Sequence, residues 1–390
     1  MIDIKSCYKK IILTYIYFSC MLLLVLVAMA ARAQERPDVA QQHGGAISLP
    51  VVGIPGTQLL KIHSAIVGQD YDLYINLPRN YKDTTRAFPV LYLLDAQWDF
   101  PLVSAVFGQQ YYDGFVPEIV TVGITWGGSN PNYDGLRARD LTPTNITQMP
   151  YTGNAPKFLD FIKKELIPFI ELKYRTVKND RTFMGSSLGG LFALYVMFHE
   201  TEVFNRFVVT SPALGWDNGV LNTYEKNYAG KNSRLPVRLF MAMGELEAGV
   251  AEFQNFVNHL KARNYEDLDL QIRILEGIGH SGSKAEGFAR GMQAVFARPS
   301  LSIEPAILER YVGTYQLNPQ IKIEILKEDD RLVLVAPPYN TKTALYAESE
   351  KDFYTKGIYL FLRFQHSDTG KVTGLHLEQF QGGAFLKRLE

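Results

Sequence analysis

Three features of the 390-residue sequence predict an α/β chain, a mostly parallel sheet with helices on both faces, followed by a small C-terminal all-β domain. Continuous apolar runs bounded by turn residues recur as far as residue 275, which is how strands covered on both faces read. Segments with helical spacing of apolar residues lie between them, and that alternation favours parallel pairing. Beyond about residue 298 the alternation stops, and short strands follow one another directly.

The first 33 residues read as an export signal ahead of the fold. Lys5, Lys9 and Lys10 precede an almost wholly apolar stretch over 11–29, and Ala31-Arg32-Ala33 has the small-x-small form of a cleavage site. Cleavage after Ala33 removes both cysteines, Cys7 and Cys20, so no disulfide, thiolate metal site or cysteine nucleophile is expected in the mature chain. An uncleaved membrane anchor is the alternative, because the apolar stretch approaches the ~20 residues that span a bilayer. Under either reading the chain is expected to act outside the cytoplasm, periplasmic or secreted. Residues 34–49 are polar and read as a flexible leader.

The domain expected over 50–298 opens with a hairpin, in which apolar residues alternate through Leu60 and Ile62 and then Tyr71, Leu73, Ile75 and Leu77. Residues 89–94 and 119–124 read as buried strands, and 156–174 carries Phe158, Leu159, Phe161, Ile162, Leu166, Ile167 and Phe169 near helical spacing. A short strand at 182–184 leads into an apolar helix over 188–199. Strands at 207–211, 237–243 and 270–275 follow, with a helix at 251–264 between the last two and a final helix near 284–296. Over 303–390 a helix-like piece at 305–311 precedes strands at 321–326, 331–336, 344–347, 359–364, 372–378 and 384–389. Each is bounded by Asp, Asn, Pro or Gly and none is followed by a helix, which predicts an antiparallel sheet or small barrel.

Forty basic and 40 acidic residues leave no formal net charge, and 47% hydrophobic with 21% charged residues is an ordinary globular balance. Without a basic excess there is no electrostatic footprint for nucleic acid, and none is expected as a partner. No partner protein is evident. No His or Asp cluster has metal-ligand spacing and no glycine-rich phosphate loop follows the first strand, so neither metal nor cofactor is expected.

Gly185-Ser186-Ser187-Leu188-Gly189 has the G-x-S-x-G pattern in which a serine occupies a sharp strand-to-helix turn, and an expected strand and helix flank it. Ser187 is the candidate nucleophile, Ser186 falling at the variable position. A serine hydroxyl needs a base to take its proton, and in this arrangement the histidine comes last in the chain. Of seven histidines, His43 and His63 precede the serine, His366 and His376 lie in the all-β tail, His199 ends the helix leaving the turn, and His259 sits on a helix. His280 remains, in a glycine-flanked loop directly after the last strand. The orienting acid is expected after the strand at 237–243, where Glu245 and Glu247 compete.

These motifs resemble the putative esterase family of α/β-hydrolases, which includes esterase D, enterochelin-type siderophore esterases and feruloyl esterases. The resemblance runs over about 60–296. It rests on Pro89-Val90-Leu91-Tyr92-Leu93-Leu94-Asp95, on Arg137-Ala138-Arg139-Asp140-Leu141-Thr142-Pro143-Thr144, on Phe158-Leu159 through Leu166-Ile167-Pro168, on the glycine-rich serine turn, and on Ser211-Pro212 and Gly279-His280. It implies an α/β-hydrolase fold and a serine carboxyl-ester hydrolase, and it selects Glu247 as the acid. It also implies an oxyanion hole from the amides of Leu188 and Gln97. Acyl transfer on the same residues, or a non-catalytic binding protein on a hydrolase scaffold, are the alternatives. The substrate class it implies is a small-molecule or polysaccharide-linked ester.

Arg137 and Arg139 are candidates for binding an anionic substrate or for clamping their loop through Asp140, and Trp216, Trp126 and Tyr133 for an aromatic acyl pocket. Leu308-Glu309-Arg310-Tyr311-Val312-Gly313-Thr314-Tyr315 is similar to the opening of lipocalin-like β domains appended to some extracytoplasmic serine hydrolases. That domain is expected to lean over the mouth of the site, offering Tyr339 or Tyr359 to a bulky substrate.

Overall fold

The period of two along a strand decides which layer each residue enters. In β3 (Phe88–Leu93), Phe88, Val90 and Tyr92 join one apolar core while Leu91 and Leu93 join another on the opposite face. The computed structural model describes residues 53–79, 81–336, 341–379 and 382–389. The expected signal at 1–33, the leader at 34–49, Cys7 and Cys20 lie outside the described residues.

The first sheet is built from the hairpin β1 (Thr57–Ser64) and β2 (Gln69–Asn76), then β3, β4 (Val120–Trp126), β5 (Thr176–Ser186), β6 (Arg206–Thr210), β7 (Arg238–Gly244) and β8 (Asp269–Leu275). Its order is β1-β2-β4-β3-β5-β6-β7-β8, with β2 antiparallel to both neighbours and every pair from β4 to β8 parallel. The helices are α1 (Ala96–Tyr112), α2 (Tyr133–Asp140), α3 (Ala155–Phe161), α4 (Ile167–Lys173), α5 (Leu188–His199), α6 (Val220–Ala229), α7 (Val250–Arg263) and α8 (Ser283–Val295). Phe100 of α1 and Phe288 and Met292 of α8 fill one face of the sheet; Phe158, Phe161, Phe192, Phe253 and Phe256 fill the other.

Three helices, α1, α2 and α6, were not expected. The apolar residues of α1 go round the helix instead of forming one stripe, and Pro101 lies inside it. The continuous helix expected over 156–174 is divided by a π turn, Ile162–Leu166, immediately before Pro168, which has no N–H for the carbonyl one turn back. That turn carries Glu165, whose carboxylate accepts from Ser64 Oγ at 2.6 Å and from the Ala65 N–H at 3.1 Å, tying the helix to the β1–β2 connection.

The second sheet follows α9 (Pro305–Tyr311) and consists of β9 (Gly313–Asn318), β10 (Ile321–Glu328), β11 (Arg331–Ala336), β12 (Thr341–Ala344), β13 (Tyr346–Ala347), β14 (Asp352–Tyr354), β15 (Leu360–His366), β16 (Val372–Gln379) and β17 (Gly382–Arg388). All pairs are antiparallel, in the order β12-β11-β10-β9-β17-β16-β15-β14-β13. The two end strands are joined through the single residue Leu345, so the chain itself closes the sheet into an up-and-down barrel and leaves no long free edge. Its interior is filled with side chains: Tyr311 of α9 stacks on Phe364 with centroids 4.0 Å apart, and Tyr315, Ile325, Phe353 and Leu362 pack round them.

The barrel does not lean over the carboxyl ends of the first sheet. Tyr359 packs on Tyr111 at the far end of α1, with centroids 5.5 Å apart, and the backbone of Ile358 and Tyr359 lies against Gly114. Arg298 bridges the two parts through Glu348 at 2.9 Å and lies over the Phe361 ring. Because α1 starts at the carboxyl end of β3, these contacts belong to the amino ends of the strands. Tyr359 therefore stands away from Ser187, and Tyr339 lies outside the described residues. A chain truncated after Ser300 is expected to lose stability, since Tyr111 and Arg298 lose their packing, while the ratio of kcat/KM for bulky and small esters stays unchanged. Parallel thermal unfolding and a two-ester assay check this; a selective loss on bulky esters is the contrary result.

Candidate active site

A strand that must turn at once into a helix needs a residue in an unusual backbone conformation. Ser187 supplies it, with φ 57° and ψ −117° between β5 and α5. Such a position costs of order 1–3 kcal/mol and persists only where neighbours hold it. Here the Ser187 N–H donates to the Thr210 carbonyl at 3.1 Å, and its carbonyl accepts from Leu191 at 2.9 Å and Ala213 at 3.1 Å. Gly185 allows the crossing: a Cβ there would lie 2.5 Å from the Gly189 carbonyl oxygen. Ser187 is half-buried, whereas Ser186 is 1% exposed and its hydroxyl has no partner among the described residues.

His280 follows β8 in the glycine-flanked loop, and its Nδ1 lies 2.6 Å from Glu247 Oε2. The imidazole is half exposed while the carboxylate is 8% exposed, so the pair has a wet and a dry end. Glu247 Oε1 accepts from Ser211 Oγ at 2.5 Å and from the Gly244 N–H at 2.8 Å. Burial raises the pKa of this carboxyl, but the hydrogen bonds from Ser211, His280 and Gly244 outweigh it and hold the group below its ordinary 4.5. Gly244 lets the two loops meet, since a Cβ there would sit 2.3 Å from the Ile278 carbonyl oxygen. Glu245 is turned elsewhere and accepts the Gly277 N–H at 2.9 Å, supporting the base of the histidine loop.

Leu188 and Gln97 begin α5 and α1, where first-turn N–H groups have no intrahelical acceptor and the helix dipole favours negative charge. The two starts adjoin: a Cβ on Gly189 would lie 3.4 Å from both Asp95 Oδ2 and Leu94 Cδ1. Asp95, at φ 56°, turns the chain from β3 into α1, and its carbonyl accepts from Trp98 and Asp99. The Gln97 side-chain amide is buried with no partner among the described residues.

Both arginines are committed to carboxylates. Arg137 grips Asp95 through Nε at 2.6 Å and Nη2 at 2.9 Å, so it holds the turn that carries Gln97. Arg139 grips Asp140 at 2.7 and 2.8 Å, and that fully buried carboxylate also accepts from Tyr71, Trp126 and Asn154. Neither guanidinium is an open anion site. Trp216 is half-buried, packs against the core and donates Nε1–H to Thr144 Oγ1 at 3.1 Å. Trp126 spends its indole N–H on Asp140 inside the core, while Tyr133 lies edge-on to the exposed Trp98.

Ser211, Ser283, Trp98, Asp99 and Lys284 were not singled out for function from sequence. Ser283 Oγ lies 2.6 Å from Ser211 Oγ and 2.7 Å from the His280 carbonyl oxygen, with one proton to share between them. Lys284 pairs with the buried Asp99 at 2.9 and 3.0 Å below Trp98. The Ser211-Pro212 dipeptide, and a serine three residues after His280, were the available signals. Among the described residues no group of three or more His, Cys, Asp or Glu is placed to hold a metal ion.

The family model described as putative esterase matches residues 64–315, and one described as a domain of unknown function matches 297–386. The chain is 30% identical over 249 residues to the ferri-bacillibactin esterase BesA of Bacillus subtilis, covering 60% of this chain and 82% of that protein. Among solved structures, the BES protein from Bacillus cereus superposes with a TM-score of 0.58 at 25% identity, covering 64% of this chain and 98% of that one. An IroE-like serine hydrolase from Shewanella oneidensis gives a TM-score of 0.56 at 25% identity, covering 65% and 85%.

The hydrogen bonds to Glu247 carry a pH dependence. A carboxyl held below its ordinary value stabilises the fold above about 4.5, and the contribution is lost as pH falls through the folded value. The stability difference between the native chain and Glu247→Gln is therefore expected to shrink on acidification below that pH. Urea unfolding across pH 3–7, about the span of carboxylate titration, measures it; a difference independent of pH is the contrary result.

Proposed function

The chain belongs to the putative esterase family and is a carboxylic ester hydrolase, and we propose that it works through an acyl-enzyme on Ser187, with His280 as the base and Glu247 as the acid that orients it. The observation that carries this reading is the Glu247–His280 hydrogen bond at 2.6 Å, with the serine turn at the same carboxyl end of the sheet, joined to Glu247 through the Thr210–Ala213 segment, and Ser186 shut away. With Nδ1–H donated to Glu247, Nε2 is the nitrogen left to take the Ser187 proton.

Attack by Ser187 Oγ on the ester carbonyl forms the tetrahedral intermediate while its proton passes to His280. The oxyanion is held by the Leu188 and Gln97 N–H groups. Collapse expels the alcohol, which takes the proton from His280. Water then attacks the acyl-enzyme, giving its proton to His280; the bond to Ser187 Oγ breaks, the serine takes that proton back, and the carboxylic acid leaves. Each oxyanion donor of this kind is worth roughly 10²–10³ in kcat. Arg137 acts as a positioning residue through Asp95, and Arg139 as a structural one through Asp140.

The substrate class is a small-molecule ester of the siderophore kind. This rests on BesA, named a ferri-bacillibactin esterase, and on a relative from Aspergillus fumigatus named a siderophore triacetylfusarinine C esterase. Export rests on the sequence of residues 1–33.

Ser187→Ala is expected to abolish labelling by a fluorophosphonate and to lower kcat by roughly 10⁴–10⁶, with Ser186→Ala still labelled and active. Labelling that survives in Ser187→Ala overturns the assignment. Glu247→Gln is expected to cut kcat heavily while Glu245→Gln does not. The secreted enzyme is expected to begin at Gln34, read by N-terminal sequencing; Met1 on membrane-bound material would favour the anchor.

A further inference from the structure

Where the barrel meets the first sheet, a cleft of about 280 Å³ is lined by Arg273 of β8, Arg290 of α8, Arg298 of the connection, and Tyr354, Thr355 and Lys356 of the barrel. It lies just below the usual range for small-molecule pockets, about 300–1,000 Å³. Four cationic side chains share it, and no carboxylate lines it among the described residues. Arg290 pairs outward with Glu286 and Arg298 with Glu348. Arg273 bonds the Ile272 carbonyl and Lys356 lies over the Tyr346 ring, and among the described residues neither has a carboxylate partner. The cleft thus keeps an excess of two positive charges.

The ordinary explanation for cations beside α8 is neutralisation of its carboxyl end, where free carbonyls carry negative charge. Other residues already serve that end. Arg206 Nε donates to the Val295 carbonyl at 3.1 Å, and Arg238 Nη1 donates to Val295 at 3.2 Å and to Ala297 at 2.8 Å. Arg273 and Lys356 therefore add positive charge to the cleft without a described carboxylate partner, a field that favours entry of an anion.

We infer that this cleft is a binding site for a compact multivalent oxyanion, which bridges the first sheet and the barrel. Guanidinium forks bind such groups bidentately, and the volume limits the ligand to a small molecule. The site is remote from Ser187 and independent of the esterase reading. Bound, the anion ties Lys356 of the barrel to Arg273 and Arg290, so its free energy adds to the stability of the joined protein.

The test uses the full chain with sodium pyrophosphate and trisodium citrate as probes, against sodium chloride at equal ionic strength. Either oxyanion is expected to raise the melting temperature saturably. In the double variant Arg273→Gln/Lys356→Gln the apparent Kd is expected to weaken by about tenfold or more, with turnover of p-nitrophenyl acetate unchanged as the folding control. Should that variant not fold, Arg290→Gln is measured in the same way. Absence of saturable stabilisation by both oxyanions, or equal stabilisation of native chain and folded variant, overturns the site.

Discussion

The turn at Ser187 is the constraint on which the catalytic end depends. A non-glycine residue at φ 57° is held by three backbone hydrogen bonds, two of them to the segment from Thr210 to Ala213 that leaves β6. The same segment carries Ser211, which bonds Glu247. One short connection therefore fixes the Ser187 turn on one side and Glu247 on the other, and β6 must lie between β5 and β7 for it to do so. Strand order, in this molecule, is a statement about chemistry.

Paired charge does the remaining work of alignment. Asp95, Asp99 and Asp140 are all buried near the carboxyl ends of the strands, and each is matched by one cation: Arg137, Lys284 and Arg139. Buried ion pairs of this kind contribute little net stability, because desolvation offsets attraction, yet removing one partner costs about 3–5 kcal/mol. Their value here is geometric. Arg137 fixes the turn before Gln97, and Lys284 joins α8 to α1, so the histidine loop and the start of α1 cannot drift apart.

Much of this was legible along the chain. The serine turn, the strand before His280 and the acidic loop each announce themselves through local pattern, since glycines, apolar runs and short spacings are properties of contiguous residues. Ser211 and Ser283 were not legible in the same way, because their role exists only once β6, β7 and α8 converge. Helix α1 escaped because it is apolar on several sides, and α3 and α4 read as one helix because a π turn keeps side chains near helical spacing. In the barrel a single strand was expected at 344–347, whereas the chain bends at Leu345 and pairs with β11 before it and β14 after it, a division that depends on strands distant in sequence. Its position was mistaken for a simpler reason: two prolines in a linker say that the chain turns, and nothing about which end of the sheet it turns toward.

That position separates two problems that a lid would have joined. A barrel seated against the amino ends of β3, β4 and β8 buries surface that the α/β layer would otherwise expose, and it leaves the carboxyl ends open for substrate. Its own interior is occupied by Tyr311, Tyr315, Phe353 and Phe364, which pack as a core. What the barrel adds must therefore act at its outer surface or at the seam, and the seam is where unmatched cationic charge collects. Trp98, Tyr133 and Trp216 stand on the segments that follow the carboxyl ends of β3, β4 and β6.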